Sequence, residues 1–321
     1  MNETITEVAD ELFAPDAPHG LSLALLLMHR GDVVFERYGN QPDTVFGPGG
    51  PVDASTTLIS WSMAKSIAHA ATGILVGDGR LRLDQPAPVP SWRGTQKESI
   101  TVQDLLDMRP GLQWVEDYVD DAVSNCLEML FGEGRDDMAA YAAALPVVAA
   151  PGSLWNYSSG TTNILCRILG DLVGGGQQGM ETFLGERLFL PAGMTSAVPK
   201  FDTAGTFIGS SYVYATTRDF ARFGELYRND GVVAGRRVLP EGWRDHGRAF
   251  VAEDEDGFDY GSHWWMWRDQ PGSLGCHGYE GQYCVVFPER ELVLVHLGKS
   301  PIDNRVALTD RLRTIVNSVE P

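Results

Sequence analysis

The stretch Ser60-Trp61-Ser62-Met63-Ala64-Lys65-Ser66-Ile67-Ala68-His69-Ala70-Ala71 decides how this chain is read. With Ile74 and Leu75 behind it, the segment has almost no polar face. The pattern therefore predicts an interior helix from Ser62 to about Gly77. Ser62 falls in the first turn, where backbone N–H groups have no partner inside the helix. Lys65 follows three residues later, about 4.5 Å along the axis and on nearly the same face. Burial at that point favours an uncharged amine. An uncharged amine beside a hydroxyl is a base beside a nucleophile. The plainer alternative is a surface helix start with a serine cap and a solvated lysine. The chain has four lysines, Lys65, Lys97, Lys200 and Lys299, so one set among alanines is harder to read as surface decoration.

The rest of the composition narrows the field. A chain of 321 residues, 43% hydrophobic, can bury a large core. Its net charge of −18 argues against nucleic acid and against anionic membrane surfaces as partners. The N-terminal Met1–Glu7 segment is acidic and has no signal-peptide pattern, and no apolar run reaches membrane-spanning length. Cys126, Cys166, Cys276 and Cys284 show neither Cys-x-x-Cys nor zinc spacing. They are expected to be reduced and buried in a cytoplasmic protein that needs no metal or cofactor.

Strand-like segments cluster at the two ends. Leu21–Met28 and Val33–Tyr38 read as a hairpin, and Trp264–Trp267, Cys284–Phe287 and Leu292–Leu297 as further strands. Helices are expected at 5–13, 101–107, 124–132, 136–145, 161–173, 180–189, 217–229 and 302–318. The last of these is given Val306, Leu308, Leu312, Ile315 and Val316 as its apolar positions. Residues 39–53 read as loop, Gly174–Gly179 as a flexible helix connection, and Glu253–Asp256 as a solvated acidic loop. The expected class is α+β, with an antiparallel sheet built from both chain ends, flanking helices, and a central mainly helical lobe. One catalytic domain would span 1–321, its α/β lobe covering about 1–80 and 205–321 and its helical lobe about 81–204. A site would lie in the groove between lobes.

Two further stretches bear on chemistry. Asn156-Tyr157-Ser158-Ser159-Gly160 lies in a loop before a helix, where the Tyr157 phenol could pass a proton if a cation steadied it. The bland reading is a packing tyrosine. Gly275-Cys276-His277-Gly278-Tyr279-Glu280-Gly281-Gln282 is read as opening the strand near Cys284. Glycines there permit close backbone approach, and the Tyr279 N–H could pair with that of Ser62 as an oxyanion hole. His277 could equally be a structural histidine.

The order Ser62-x-x-Lys65, Tyr157-x-Ser159, then a Gly-rich strand resembles the serine β-lactamase and penicillin-binding superfamily. The match is closer to its class C-like branch, which includes esterases, D-aminopeptidases and 6-aminohexanoate-dimer hydrolase. It covers roughly residues 20–318. Leu105–Leu112, Pro151-Gly152, Ala215–Gly224 and Gly281-Gln282 add to it. The resemblance implies Ser62 as acylating nucleophile, Lys65 as its base, Tyr157 as the shuttle for the leaving-group proton, and Tyr279 as the second oxyanion donor. It makes Gly278, His277 and, through Trp114–Tyr118, Tyr118 substrate-contact candidates. Ser159 stands where the family often has Asn. With Gly278 as the glycine of the third motif, Cys276 takes the place of the family's cation; a slip of one residue would put His277 there. A missing cation favours small esters or linear amides over β-lactams. The implied function is a serine hydrolase acting on a small-molecule ester or amide. The alternatives are a β-lactamase or D-Ala-D-Ala carboxypeptidase-like enzyme, or a catalytically silent ligand-binding relative.

Overall fold

The computed structural model of the chain describes residues 3–44, 48–118 and 123–320. Its elements begin with helix α1 (Glu3–Leu12) and the hairpin β1 (Leu21–His29) and β2 (Asp32–Tyr38). Of the loop expected over 39–53, residues 45–47 lie outside the described residues. Next come the short strand β3 (Thr57–Ile59), a 3-10 turn at Trp61–Met63, and helix α2 (Ala64–Gly77). The middle of the chain is helical: α3 (Val102–Leu106), α4 (Asn125–Phe131), α5 (Met138–Ala144), α6 (Ser159–Val173) and α7 (Gly176–Phe183). Strands β4 (Val198–Pro199) and β5 (Val213–Thr216) pair, and β5 also pairs with β3. Helices α8 (Thr217–Arg228) and α9 (Trp243–Gly247) follow. The chain then forms β6 (Ala252–Glu253), β7 (Phe258–Tyr260), β8 (Trp265–Trp267), β9 (Leu274–Gly278), β10 (Gln282–Phe287) and β11 (Leu292–Lys299), and ends in α10 (Arg305–Ser318).

The large sheet has eight antiparallel strands in the order β6-β7-β8-β9-β10-β11-β1-β2. Its centre joins the two chain ends, with Leu25 opposite His296 and Leu27 opposite Leu294. Both faces are covered, which explains why β1 is an almost unbroken apolar run. Leu25 and Leu27 pack with α1 and α10 residues such as Leu12, Leu312 and Ile315. Ala24, Leu26 and Met28 face the other way, toward Ile67, Ala71, Phe220 and Phe223 of α2 and α8. Helix α2 is thus enclosed, with residues 64–75 all buried. No helix among the described residues is long and apolar enough to cross a membrane.

Several local expectations are corrected. Helix α7 starts at Gly176, inside the glycine run, with Gly175 as a left-handed cap at φ 76°. The stretch Gly275–Gln282 does not open one strand. It is the end of β9, a 3-10 turn at Tyr279–Gly281, and the first residue of β10. Val306 lies on the exposed side of α10. The acidic run is not simply solvated. Glu253 belongs to β6, and Asp254 accepts the Phe258 N–H at 2.8 Å and pairs with Arg305 at 3.4 Å. All four cysteines are free and buried, as expected from their spacing.

Candidate active site

The 3-10 turn that carries Ser62 is held from both sides. Ser60 N–H donates to the Val213 carbonyl at 2.9 Å, and Ser60 Oγ accepts from Val213 N–H at 3.0 Å and donates to the Ser211 carbonyl at 3.2 Å. Trp61 sits at φ 42°, a strained conformation for a bulky residue. Its indole N–H donates to Glu280 at 3.3 Å, and its ring packs on Tyr212 and Tyr279. These anchors fix the turn beside Lys65, which links Ser62 to Ser159 at the start of α6.

Lys65 is 2% exposed. Its Nζ lies 2.9 Å from each of three oxygens: Ser62 Oγ, Ser159 Oγ and the Ser210 carbonyl. Tyr157 is half-buried beside it, with Lys65 Nζ 4.9 Å from its ring centre. Burial raises the phenol's pKa, and the nearby Lys65 opposes that rise. Asn156 fixes the approach of this loop, donating from its side chain to the Trp114 carbonyl at 3.0 Å and from its backbone to the Met108 carbonyl at 2.9 Å. The structure therefore brings Ser62, Lys65 and Tyr157 together from three separate elements.

A cavity of about 390 Å³ opens over Ser62. Tyr118, His277, Gly278 and Tyr279 all line it, and the Tyr118 and Tyr279 rings meet at 4.9 Å. A smaller pocket of about 80 Å³ shares Ser62, Tyr118 and Tyr279 and is walled by Leu127, Leu130 and Phe131. Ser62 and Tyr279 each sit in the first turn of a 3-10 segment, where backbone N–H groups have no partner within the turn. The carbonyl of Tyr279 is drawn the other way by Gln282, whose side-chain amide also reaches the Glu280 and Gly298 carbonyls.

The third motif carries no charge. Cys276 faces the core beneath α8, opposite Cys284. His277 is on the cavity wall, but its Nε2 accepts the Trp267 indole N–H at 3.0 Å and its ring stacks on Trp265. Burial first, then Arg305 and Arg313, push its pKa well below the usual 6.5, so it is neutral. Among the described residues lining the cavity, Arg305 is the one lysine or arginine, and it is paired with Asp254 and Asp256.

One participant was not singled out from the sequence. Glu116 lines the cavity and accepts four hydrogen bonds. They come from Trp114 Nε1 at 2.5 Å, Tyr118 OH at 2.9 Å, Ser159 N–H at 2.8 Å and Ser159 Oγ at 2.5 Å. The one available signal was a carboxylate two residues from an aromatic on either side. Nothing in that spacing pointed to Ser159, 43 positions away.

Comparison with known proteins identifies relatives of the chain. A family model described as Beta-lactamase matches residues 9–315. The 6-aminohexanoate-dimer hydrolase of Paenarthrobacter ureafaciens is 27% identical over 259 residues, 75% of this chain; the match spans 65% of that enzyme's length. A Bacillus anthracis protein proposed to be a 6-aminohexanoate-dimer hydrolase superposes with a TM-score of 0.76 at 22% identity, over 92% of this chain and 78% of its own. A family VIII carboxylesterase superposes at 0.72 and 13% identity, over 99% and 97%.

Proposed function

Because the chain belongs to the beta-lactamase family, we propose that it is a serine hydrolase opening small esters or linear amides through an acyl-enzyme on Ser62. The observation that carries this reading is the 2.9 Å contact between a fully enclosed Lys65 Nζ and Ser62 Oγ. Lys65 takes the hydroxyl proton as Ser62 Oγ attacks the carbonyl carbon. The oxygen of the tetrahedral intermediate turns toward the N–H groups of Ser62 and Tyr279, fixed dipoles that need no reorganisation as charge develops. Tyr157 hands a proton to the departing alkoxide or amine, then assists the water that releases the acid. The whole chain acts as one catalytic domain, with the sheet and its helices on one side of Ser62 and the central helices on the other.

The choice of ester or linear amide over β-lactam is supported by the third motif. A neutral His277 and a core-facing Cys276 offer no cation to a β-lactam carboxylate. The 80 Å³ apolar pocket favours a short alkyl group on one side of the scissile bond. The relatives named as 6-aminohexanoate-dimer hydrolase and carboxylesterase agree with this preference. Ser62→Ala is expected to abolish turnover of p-nitrophenyl acyl esters and labelling by a fluorophosphonate. Undiminished turnover in that variant refutes the assignment. In a panel of short esters, linear amides and nitrocefin, nitrocefin turnover matching the best ester would shift the reading to a β-lactamase.

A further inference from the structure

If Lys65 is to accept a proton, its own must go somewhere, and a buried ammonium has few exits. The structure offers one continuous path. Lys65 Nζ is 2.9 Å from Ser159 Oγ, and Ser159 Oγ is 2.5 Å from Glu116 Oε1. The second contact is at the short end of the range for a hydroxyl donating to a carboxylate. Ser159 N–H also binds the other Glu116 oxygen at 2.8 Å, so the carboxylate is clamped in line with the path.

We propose that Glu116, acting through Ser159, is the proton store that frees Lys65 to act as the base. This rests on the reading of Lys65 and Ser62 given above. Ser159 Oγ takes a proton from Lys65 Nζ and passes its own to Glu116 Oε1. One N–H and one O–H bond break, and two O–H bonds form. Lys65 is left with a lone pair facing Ser159, which rotation about Cε–Nζ turns to the Ser62 hydroxyl 2.9 Å away, and Glu116 becomes a neutral acid. The same steps in reverse reset the site after deacylation. Glu116 does not touch the reacting carbonyl; its role is to position charge.

The surroundings favour this assignment. All four Glu116 hydrogen bonds come from protein donors, which leaves the carboxylate little capacity to bind substrate. The other titratable groups facing the pair are Tyr118, Cys126, Tyr157, Cys166, Tyr260 and His263. Burial holds the phenols and thiols protonated, with Cys166 pushed up to about 12, and His263 neutral at about 3. The line from Lys65 through Ser159 to Glu116 is thus the hydrogen-bonded route open to a proton in this cluster. Both forms of the pair hold the same number of protons, so the internal transfer does not depend on pH.

The test is the pH profile of kcat/KM for a p-nitrophenyl ester between about pH 6 and pH 9. The wild type is expected to be flat. In Glu116→Gln, and independently in Ser159→Ala, the free amine forms only by losing a proton to solvent. Activity is then expected to rise about tenfold per pH unit. Ser159→Thr keeps the hydroxyl and is expected to restore the flat profile. Folded variants that retain the flat shape, at whatever level, overturn the relay, because a merely structural carboxylate lowers activity without tilting it. Fluorophosphonate labelling of the wild type separates the two levels. A labelled wild type with flat variants refutes the relay alone, whereas a wild type that neither turns over nor labels refutes the hydrolase reading and the relay with it.

Discussion

Replacing Gly278 with alanine probes how closely β9 approaches the turn that carries Ser62. The backbone at 278 is extended, φ −129° and ψ 159°, which any residue adopts. The effect therefore comes from the added methyl alone. A Cβ there would stand 2.5 Å from the Ser60 carbonyl oxygen and 2.9 Å from Gln282 Cβ. Ordinary contact begins at 3.4 Å, so the strand and the turn must part by about 0.9 Å. Ser60 cannot simply yield, because its carbonyl accepts Met63 N–H at 3.2 Å and its amide is tied to Val213. The separation falls on the gap between the Ser62 and Tyr279 amides. Misplacement of about 1 Å costs roughly 10²-fold in rate, or about 2.7 kcal/mol of transition-state stabilisation. The expected outcome is a drop of about that size in kcat with KM little changed, since the oxyanion exists only in the transition state. Overpacking adds a stability loss of about 1–3 kcal/mol. Steady-state kinetics on a p-nitrophenyl ester and urea unfolding read the two effects separately. Gly185→Ala, whose Cβ meets nothing within 4 Å, is the control. A Gly278→Ala enzyme with kcat within about threefold of wild type would show that this contact does not set the oxyanion geometry.

Gln282→Leu removes the amide that draws back the Tyr279 carbonyl and leaves Gly298 N–H, now bound to Gln282 Oε1 at 3.1 Å, without that acceptor. It is expected to cost about 1–3 kcal/mol in urea unfolding and to lower kcat more than KM; an unchanged kcat in a folded variant would deny Gln282 any part in aiming Tyr279. Acid should unfold the protein through its buried histidines. His263 is held at about 3, and His246 and His296 at about 4, each chiefly by burial. Their folded pKa values lie below the ordinary 6.5, so the stability they contribute is complete above about pH 6.5. It is lost as pH falls toward their folded values, because the unfolded chain takes up protons first. Each histidine accounts for about 1.4 kcal/mol per pH unit in that window. Asp107 and Asp202, raised by burial, act in the opposite sense at the lower end. Urea midpoints at about pH 7 and pH 5 measure the slope, which His296→Gln should make shallower; equal midpoints in the wild type would contradict the burial argument.

Periodicity and order were enough to expect an α+β fold with its sheet drawn from both ends. The runs in β1, β10 and β11 are too apolar for a one-sided sheet, and α2 has no face for water. Ser62 and Lys65 are three residues apart where the 3-10 turn runs into α2, so their contact was legible from spacing. Tyr157 entered through a motif, and its placement beside Lys65 depends on ring contacts with Tyr260 and Trp265, about a hundred residues later. Glu116 was hidden for the same reason, since its meaning lies in Ser159. The tip at Tyr279–Gly281 was misread because glycines on both sides of His277 blur where one strand stops and the next begins. The neutrality of His277 came from Trp267 and the stacked rings around it, which no local pattern displays.

The pairing of β1 with β11 sets a timetable for the polypeptide as a ribosome makes it. Residues 21–29 leave the ribosome well before residues 292–299, the neighbour that completes their hydrogen bonding. Until that segment emerges, β1 lacks one of its two strand neighbours and the sheet is incomplete at its centre. The turn bearing Ser62 meanwhile lacks its contact with Gly278. Ser62 and the Tyr279 turn can therefore meet only after the strands that follow have emerged, so the groups proposed to act together are brought into place late, by segments far along the chain from Ser62.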